Sequence, residues 1–94
     1  MKMSPLSKDE IKRALGELAG WSFEGDQLKK SFKFDDFRSA VGFIVRIAFE
    51  AEELNHHPEM KNVYNQVDIS LNTHDAGGKV TQLDVDLAKR IDRI

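Results

Sequence analysis

Three histidines, each close to acidic or amide side chains, are the residues of this chain best suited to transfer protons near neutral pH. They lie in two places, Glu52-Glu53-Leu54-Asn55-His56-His57-Pro58 and, further along the chain, Thr73-His74-Asp75. Imidazole gains and loses a proton in the physiological pH range and serves as a general acid or base in many enzymes. The sequence therefore predicts a proton-transfer site formed by these two segments.

The first histidine segment lies at the predicted end of a long helix. Asp35 or Asp36 can cap a segment that runs without a proline to about Asn55, and Pro58 prevents the helix from continuing. On a helical projection Glu52 and Asn55 fall on the apolar side, where a polar group needs a partner. We therefore expect Glu52 to point toward the core side and, if the helix persists for one further turn, to orient His56 as its i, i+4 partner.

The apolar arc of this helix is wider than one face of a sheet can cover. Its centre consists of Ala40, Val41, Ile44, Val45, Ala48 and Ala51, and its flanks of Phe43, Ile47, Phe49 and Leu54. Part of the arc is therefore expected to pack against another subunit. A chain of 94 residues has a small core, so self-association would also stabilise it.

Two hairpins and two shorter helices complete the predicted fold. Capping patterns at residues 7–10 and 81–84 start the first and last helices, and the apolar stripe of the first helix ends at Gly20. The predicted turns are Gly25-Asp26 and Asn65-Gln66. Tyr64 is expected in the core, and His74 is placed on the polar face of the last strand. The order αββαββα predicts one α+β domain over residues 1–94, with a four-stranded antiparallel sheet and three helices packed on one face.

Composition argues against several classes of function. The 14 basic and 16 acidic residues are interspersed and give a formal charge of −2, which disfavours nucleic-acid binding through a basic surface. The chain contains no cysteine, so disulfides and thiolate ligands are excluded. No apolar run approaches the roughly 18 residues of a membrane span, and the N-terminus lacks the apolar core of a signal peptide. These features predict a cytoplasmic protein that contacts neither membrane nor nucleic acid.

A zinc site is the main alternative for the three histidines. Adjacent residues such as His56 and His57 tend to diverge, and the spacing of the three histidines fits no compact zinc pattern. Each histidine taken alone could also be a solvated residue without a chemical role. Their combination with nearby carboxylates favours proton transfer, and no metal is expected.

Three motifs resemble those of the pterin-4a-carbinolamine dehydratase family: E-x-x-N-H-H-P at 52–58, N-V-Y-N at 62–65 and L-x-T-H-D-A-G-G at 71–78. The resemblance implies an α+β fold of the same order, dimers that often pair into tetramers, and no metal or organic cofactor. The implied reaction removes water from 4a-hydroxytetrahydrobiopterin to give the quinonoid dihydropterin. An aromatic amino-acid hydroxylase system is the partner considered. Some relatives also stabilise dimers of a homeodomain transcription factor, so a non-catalytic assembly role is the alternative.

The resemblance also implies roles for individual residues. His56 and His74 resemble the family's acid and base groups, His57 resembles the histidine that chiefly holds the substrate, and Glu52 would support them. Asp84 is similar to an aspartate at the start of the last helix and is a weaker, indirect candidate. The positions that correspond to the family's pterin pocket are Asn55, His56, His57, Pro58, Asn72, Thr73, His74 and Asp75.

Overall fold

The computed structural model describes residues 3–94, which form helices and strands in the order αββαββα. The elements are α1 Lys8–Leu15, β1 Ser22–Glu24, β2 Gln27–Lys33, α2 Phe37–Leu54, β3 Glu59–Val63, β4 Gln66–Leu71 and α3 Gln82–Asp92, with a short 3₁₀ helix at His74–Ala76. The four strands form one antiparallel sheet in the order β1-β2-β4-β3. The predicted α+β class and element order are confirmed.

Local sequence signals explain where several elements begin. Ser7 caps α1, because its hydroxyl accepts a hydrogen bond from the Glu10 backbone while the Glu10 carboxylate accepts one from the Ser7 backbone. Asp36, one of the two predicted caps, accepts a bond from the backbone at the start of α2. In the first hairpin, Gly25 and Asp26 have φ values of 58° and 59°, as a type I′ turn requires.

The core lies between one face of the sheet and the helices. Its buried side chains include Leu28, Val67, Ile69 and Leu71 from the sheet, Ala40, Phe43, Ile47 and Ala51 from α2, and Val85, Leu87, Ala88 and Ile91 from α3. The opposite face of the sheet carries polar side chains, and there Asp68 accepts a hydrogen bond from Ser31 across the strands. The alternation along the strands thus directs one set of residues to the helices and the other to solvent.

Two predicted boundaries are wrong. The second hairpin turns at Tyr64-Asn65 rather than at Asn65-Gln66, and Tyr64 is exposed in that turn instead of lying in the core. The Asn65 side chain donates a hydrogen bond to the Phe34 carbonyl, which fixes the turn against the end of β2. The first helix ends at Leu15 instead of continuing toward Gly20.

The last strand is also shorter than predicted. β4 ends at Leu71, and the chain then passes through Thr73, which pairs with Lys79 in an isolated bridge. His74 consequently begins the 3₁₀ helix and does not lie on the polar face of the strand. The placement of His74 on the strand is therefore wrong, because the pairing between Thr73 and Lys79 closes a loop where the strand was expected to continue.

The apolar arc of α2 is divided between the core and the surface. Four large side chains form an exposed apolar stripe at intervals of four residues: Phe37, Val41, Val45 and Phe49, with exposures of 52%, 37%, 48% and 69%. Glu52 lies on the same outward side, and its side chain is 76% exposed. The predicted core-side orientation of Glu52 is wrong, because Ala51 and not Glu52 faces the core at the end of α2.

Candidate functional site

The two histidine segments meet at a cleft between the end of α2 and the start of α3. The cleft has a volume of about 300 Å³ and is lined by Asn55, His56, His57, Asn72, Thr73, His74, Asp75 and Leu83. Seven of these eight residues are predicted pocket positions, and the eighth, Leu83, is not among the predicted site residues. Pro58, Glu52 and Asp84 are predicted site residues that do not line the cleft. The cleft gathers residues from three separate parts of the chain.

The end of α2 separates its two histidines. Asn55 has a left-handed backbone, with φ 49° and ψ 44°, and its N–H bonds to the Glu52 carbonyl at 3.0 Å. The His56 N–H bonds to the Ala51 carbonyl at 3.0 Å, which completes a Schellman motif. After this turn His56 is buried, whereas the His57 side chain is 65% exposed. Asn55 itself is exposed, so its predicted core-side orientation is wrong.

A fully buried carboxylate lies behind His56. Asp84 Oδ1 is 2.5 Å from His56 Nε2, while Oδ2 accepts hydrogen bonds from Thr73 Oγ1 at 2.9 Å and from the Thr81 N–H at 2.8 Å. The Thr73 and Thr81 hydroxyls also contact each other at 2.7 Å. A buried carboxylate is costly unless hydrogen-bonded donors compensate it, and here three donors do so. Its position in the first turn of α3 adds the favourable field of a helix N-terminus.

The contact with Asp84 fixes the proton on His56. An ionised carboxylate can only accept a hydrogen bond, so the Nε2 atom that faces it must carry a proton. Nδ1 is then the ring nitrogen that can accept a further proton or release one. In other enzymes a buried carboxylate in this arrangement holds the imidazole in one tautomer and stabilises the imidazolium that forms. The contact with Asp84 thus holds the His56 ring through Nε2 and leaves Nδ1 as the other ring nitrogen.

The loop that carries His74 forms the opposite rim of the cleft. Thr73 donates its N–H to the Lys79 carbonyl at 2.8 Å, and Gly78 donates its N–H to the Thr73 carbonyl at 3.1 Å. The Asn72 amide bonds to the Gly78 carbonyl at 3.3 Å. Gly78 has a φ of 73°, which glycine adopts without strain. Backbone hydrogen bonds thus close the base of this loop. The His74 side chain, at its start, is exposed.

Glu52 pairs with a different histidine from the one predicted. Its Oε1 atom is 3.3 Å from His57 Nε2, and both side chains are largely exposed. The carboxylate that orients His56 is Asp84, which is distant from it in sequence. Asp84 follows Thr81 at the spacing of a capping box, so its sequence signal indicated a helix start more strongly than a partner for a histidine.

Neither a metal-binding cluster nor a membrane-spanning helix is found within the described residues. Across residues 3–94, no group of three or more histidine, cysteine, aspartate or glutamate side chains is arranged to hold a metal ion. None of the helices within the same residues has both the length and the apolar character needed to cross a membrane.

Comparison with known proteins identifies the family. A family model described as pterin 4 alpha carbinolamine dehydratase matches residues 4–94. The chain belongs to this family. It is 56% identical over 89 residues to a relative from Opitutus terrae, with 95% of this chain and 92% of the relative covered. It is 48% identical over 95 residues to a relative from Rhizobium johnstonii, with 99% and 93% covered. Both relatives carry the name pterin-4-alpha-carbinolamine dehydratase as a provisional assignment.

A solved structure shares the fold over nearly the whole chain. The crystal structure of a protein from Brucella melitensis, described as a transcriptional coactivator/pterin dehydratase, matches with a TM-score of 0.91 and 40% sequence identity. The match covers 96% of this chain and 97% of that one. The family resemblance found in the sequence is thus confirmed, and membership in the pterin carbinolamine dehydratase family implies a pterin substrate.

Proposed function

We propose that this protein removes water from 4a-hydroxytetrahydrobiopterin to give the quinonoid dihydropterin, a hydro-lyase step in tetrahydrobiopterin recycling. The observation that supports this proposal is the cleft that is lined by both His56, held by the buried Asp84, and His74. The family supplies the class of substrate, and the arrangement of the histidines supplies the acid and base groups that the reaction needs.

The reaction consists of two coupled proton transfers. The bond between carbon 4a and its hydroxyl oxygen breaks, and the departing hydroxide takes up a proton to become water. The neighbouring pterin nitrogen loses a proton, and its electron pair forms the new carbon–nitrogen double bond. An acid and a base on the protein that work near neutral pH would accelerate both transfers, and no covalent intermediate is required.

His56 is suited to the role of the base and His74 to that of the acid. With Nε2–H directed at Asp84, the neutral His56 ring presents Nδ1 as a proton acceptor, and the carboxylate would stabilise the resulting imidazolium. His74 lies at the rim, where solvent can return the proton that it gives to the departing hydroxyl. His57 would hold the substrate, with Glu52 supporting His57 alone. Further contacts with the substrate are proposed for Asn55, Asn72, Thr73 and Asp75, which line the cleft, whereas Pro58 does not line it.

Stopped-flow absorbance of freshly generated 4a-hydroxytetrahydrobiopterin tests this function. The wild-type protein should accelerate its decay, and His56→Ala and His74→Ala should each lower kcat by roughly a hundredfold or more. Lys61→Ala, on the polar face of the sheet, is the matched surface control and should retain the wild-type rate. The function is excluded if the wild-type protein gives no acceleration. The assignment of acid and base to the two histidines is excluded if the double histidine variant keeps full activity.

We also propose that copies of this chain associate through the exposed apolar stripe of α2. Four large apolar side chains on one side of a single helix form a larger contiguous patch than scattered surface residues would, and association would remove it from water. Val45→Asp at the centre of the stripe should shift the mass measured by light scattering toward the monomer. Ser39→Asp, which adds the same charge outside the stripe, should leave the mass unchanged. An unchanged mass for Val45→Asp would exclude this surface.

The same fold could instead serve as a non-catalytic assembly partner. Two observations favour this second function: the exposed stripe of α2 and the coactivator description of the Brucella melitensis protein. A pull-down with the His56→Ala, His74→Ala double variant separates the two functions. Assembly is favoured if the double variant still captures a protein partner and the wild type shows no dehydratase activity. Rapid turnover by the wild type favours the dehydratase.

A further inference from the structure

We infer that Asn55 is a positioning residue whose left-handed backbone directs His56 onto Asp84. This inference rests on the proposed function and deepens it, because it gives Asn55 a role that does not depend on contact between its amide and the substrate. The supporting observation is the Schellman motif in which the Asn55 and His56 N–H groups bond to carbonyls of the last turn of α2.

The direction of His56 depends on this turn. If α2 continued as a regular helix, His56 would follow Glu52 by four residues and would project about 40° away from it, since each residue advances by about 100°. Glu52 lies on the outward side of α2, with its side chain 76% exposed. A continued helix would thus carry His56 toward solvent and away from α3. The left-handed residue reverses the chain, and the His56 ring is instead buried against Asp84.

Residue type explains why asparagine can occupy this position. A left-handed backbone is unfavourable for most L-amino acids, is tolerated by asparagine and aspartate, and is most strained for β-branched residues. Three non-glycine residues among those described have this backbone, namely Asp26, Asn55 and Tyr64. Asp26 and Tyr64 lie in hairpin turns, whereas Asn55 directly precedes the two histidines. Of these three residues, Asn55 is therefore the one whose left-handed backbone adjoins the candidate site.

Two substitutions separate the backbone role of Asn55 from its side-chain role. Asn55→Gly removes the amide but accepts the left-handed conformation, whereas Asn55→Val removes the amide and resists that conformation. The matched control is Tyr64→Val, which places the same β-branched residue at a φ of 50° in the β3–β4 turn, at the other end of β4 from the cleft. Asn55→Ala is the milder second variant if Asn55→Val does not fold.

Two properties are measured: the tautomer of the His56 ring, and the separate changes in kcat and KM. Nitrogen NMR of the histidines should show the Nε2-protonated tautomer of His56 in the wild type, in Asn55→Gly and in Tyr64→Val. That signature should be lost or averaged in Asn55→Val, with kcat lowered roughly tenfold or more. In Asn55→Gly the His56 signature should persist and kcat should stay well above that of Asn55→Val, while the lost amide contact with substrate appears as a higher KM.

Two results would overturn the inference. One is an unchanged His56 signature and kcat in Asn55→Val, or in Asn55→Ala where the valine variant does not fold. The other is an equal loss of both readouts in the glycine and valine variants, because this would assign the effect to the amide and not to the backbone. Failure of the proposed function is distinguishable, since a wild-type protein without dehydratase activity still reports the tautomer of His56 by NMR.

Discussion

Two histidine–carboxylate pairs lie close together at the end of α2, and they differ in burial, in distance and in the contacts of their carboxylates. The His56–Asp84 pair is buried, with a nitrogen–oxygen distance of 2.5 Å. The His57–Glu52 pair has a distance of 3.3 Å, and its two side chains are 65% and 76% exposed. In the first pair the ring is held by a carboxylate that two further donors fix, the Thr73 hydroxyl and the Thr81 N–H. In the second pair both groups can exchange their contact for water.

This difference shows why proximity in sequence is a poor guide to which carboxylate orients a histidine. Exposed ion pairs contribute little, because water and salt screen them and both side chains retain their freedom. A buried pair interacts strongly, and removing one partner leaves the other uncompensated. Of the four predictions below, given from the largest expected effect to the smallest, the first three test the contrast between these pairs and the fourth compares the cleft with the open face of the sheet.

Asp84→Asn should cause the largest loss, because the amide removes the charge that holds His56 and directs N–H donors toward other donors. We expect kcat to fall roughly a hundredfold to a thousandfold. The free energy of unfolding should fall by about 2–4 kcal/mol. Stopped-flow kinetics and urea denaturation measure the two effects. A variant that keeps kcat within twofold of the wild type would show that the buried pair has no role in the reaction.

Thr73→Val should weaken the buried pair indirectly. The substitution preserves the shape of the side chain but removes the hydroxyl that donates to Asp84 and contacts Thr81. We expect the free energy of unfolding to fall by about 1–3 kcal/mol, because a buried oxygen loses its donor. Thr73→Ser keeps the hydroxyl and should recover most of this loss. Valine keeps the methyl group of threonine, so a Thr73→Val variant as stable as the wild type would show that the hydrogen bond to Asp84 contributes nothing to stability.

Glu52→Gln should have a small effect on the exposed pair. The substitution removes the charge next to His57 but leaves a side chain of nearly the same shape. We expect kcat to change by less than about threefold and the free energy of unfolding by less than about 0.5 kcal/mol. A loss comparable with that of Asp84→Asn would reverse the contrast between the two pairs and would restore Glu52 to the catalytic role suggested by the sequence.

Asp68→Asn should alter acid stability without altering the chemistry of the cleft. Hydrogen bonds from Ser31 and then Gln66 lower the pKa of Asp68 from its ordinary value of 3.8. A lowered folded-state pKa stabilises the protein above the unfolded value, and this contribution is lost as the pH falls through the folded value. The difference in Tm between pH 6 and pH 3 should therefore be smaller in Asp68→Asn than in the wild type. The pH dependence of kcat should remain the same, and a shift in it would show that the open sheet face influences the cleft.

Much of the fold follows from local signals in the sequence. Capping boxes, glycine turns and alternating strands act over a few residues, so the order αββαββα could be predicted, and the cap of α2 could be narrowed to Asp35 or Asp36. The errors arose where a local rule was extended too far. Periodicity placed Glu52 within a wide apolar arc but could not decide which half of that arc the sheet covers. Alternation extended β4 to His74 because the bridge between Thr73 and Lys79 is not visible in the pattern.

The sequence by itself determined the chemistry that is available: three histidines in two motifs, with residue types and spacing specific enough to indicate the family. Only the tertiary structure decided which carboxylate serves which histidine. Asp84 and His56 are 28 residues apart, and they meet because the left-handed turn at Asn55 and the packing of α3 against α2 direct both side chains inward. Residue type sets what a side chain can do, whereas burial and contacts over long sequence separations set its partner.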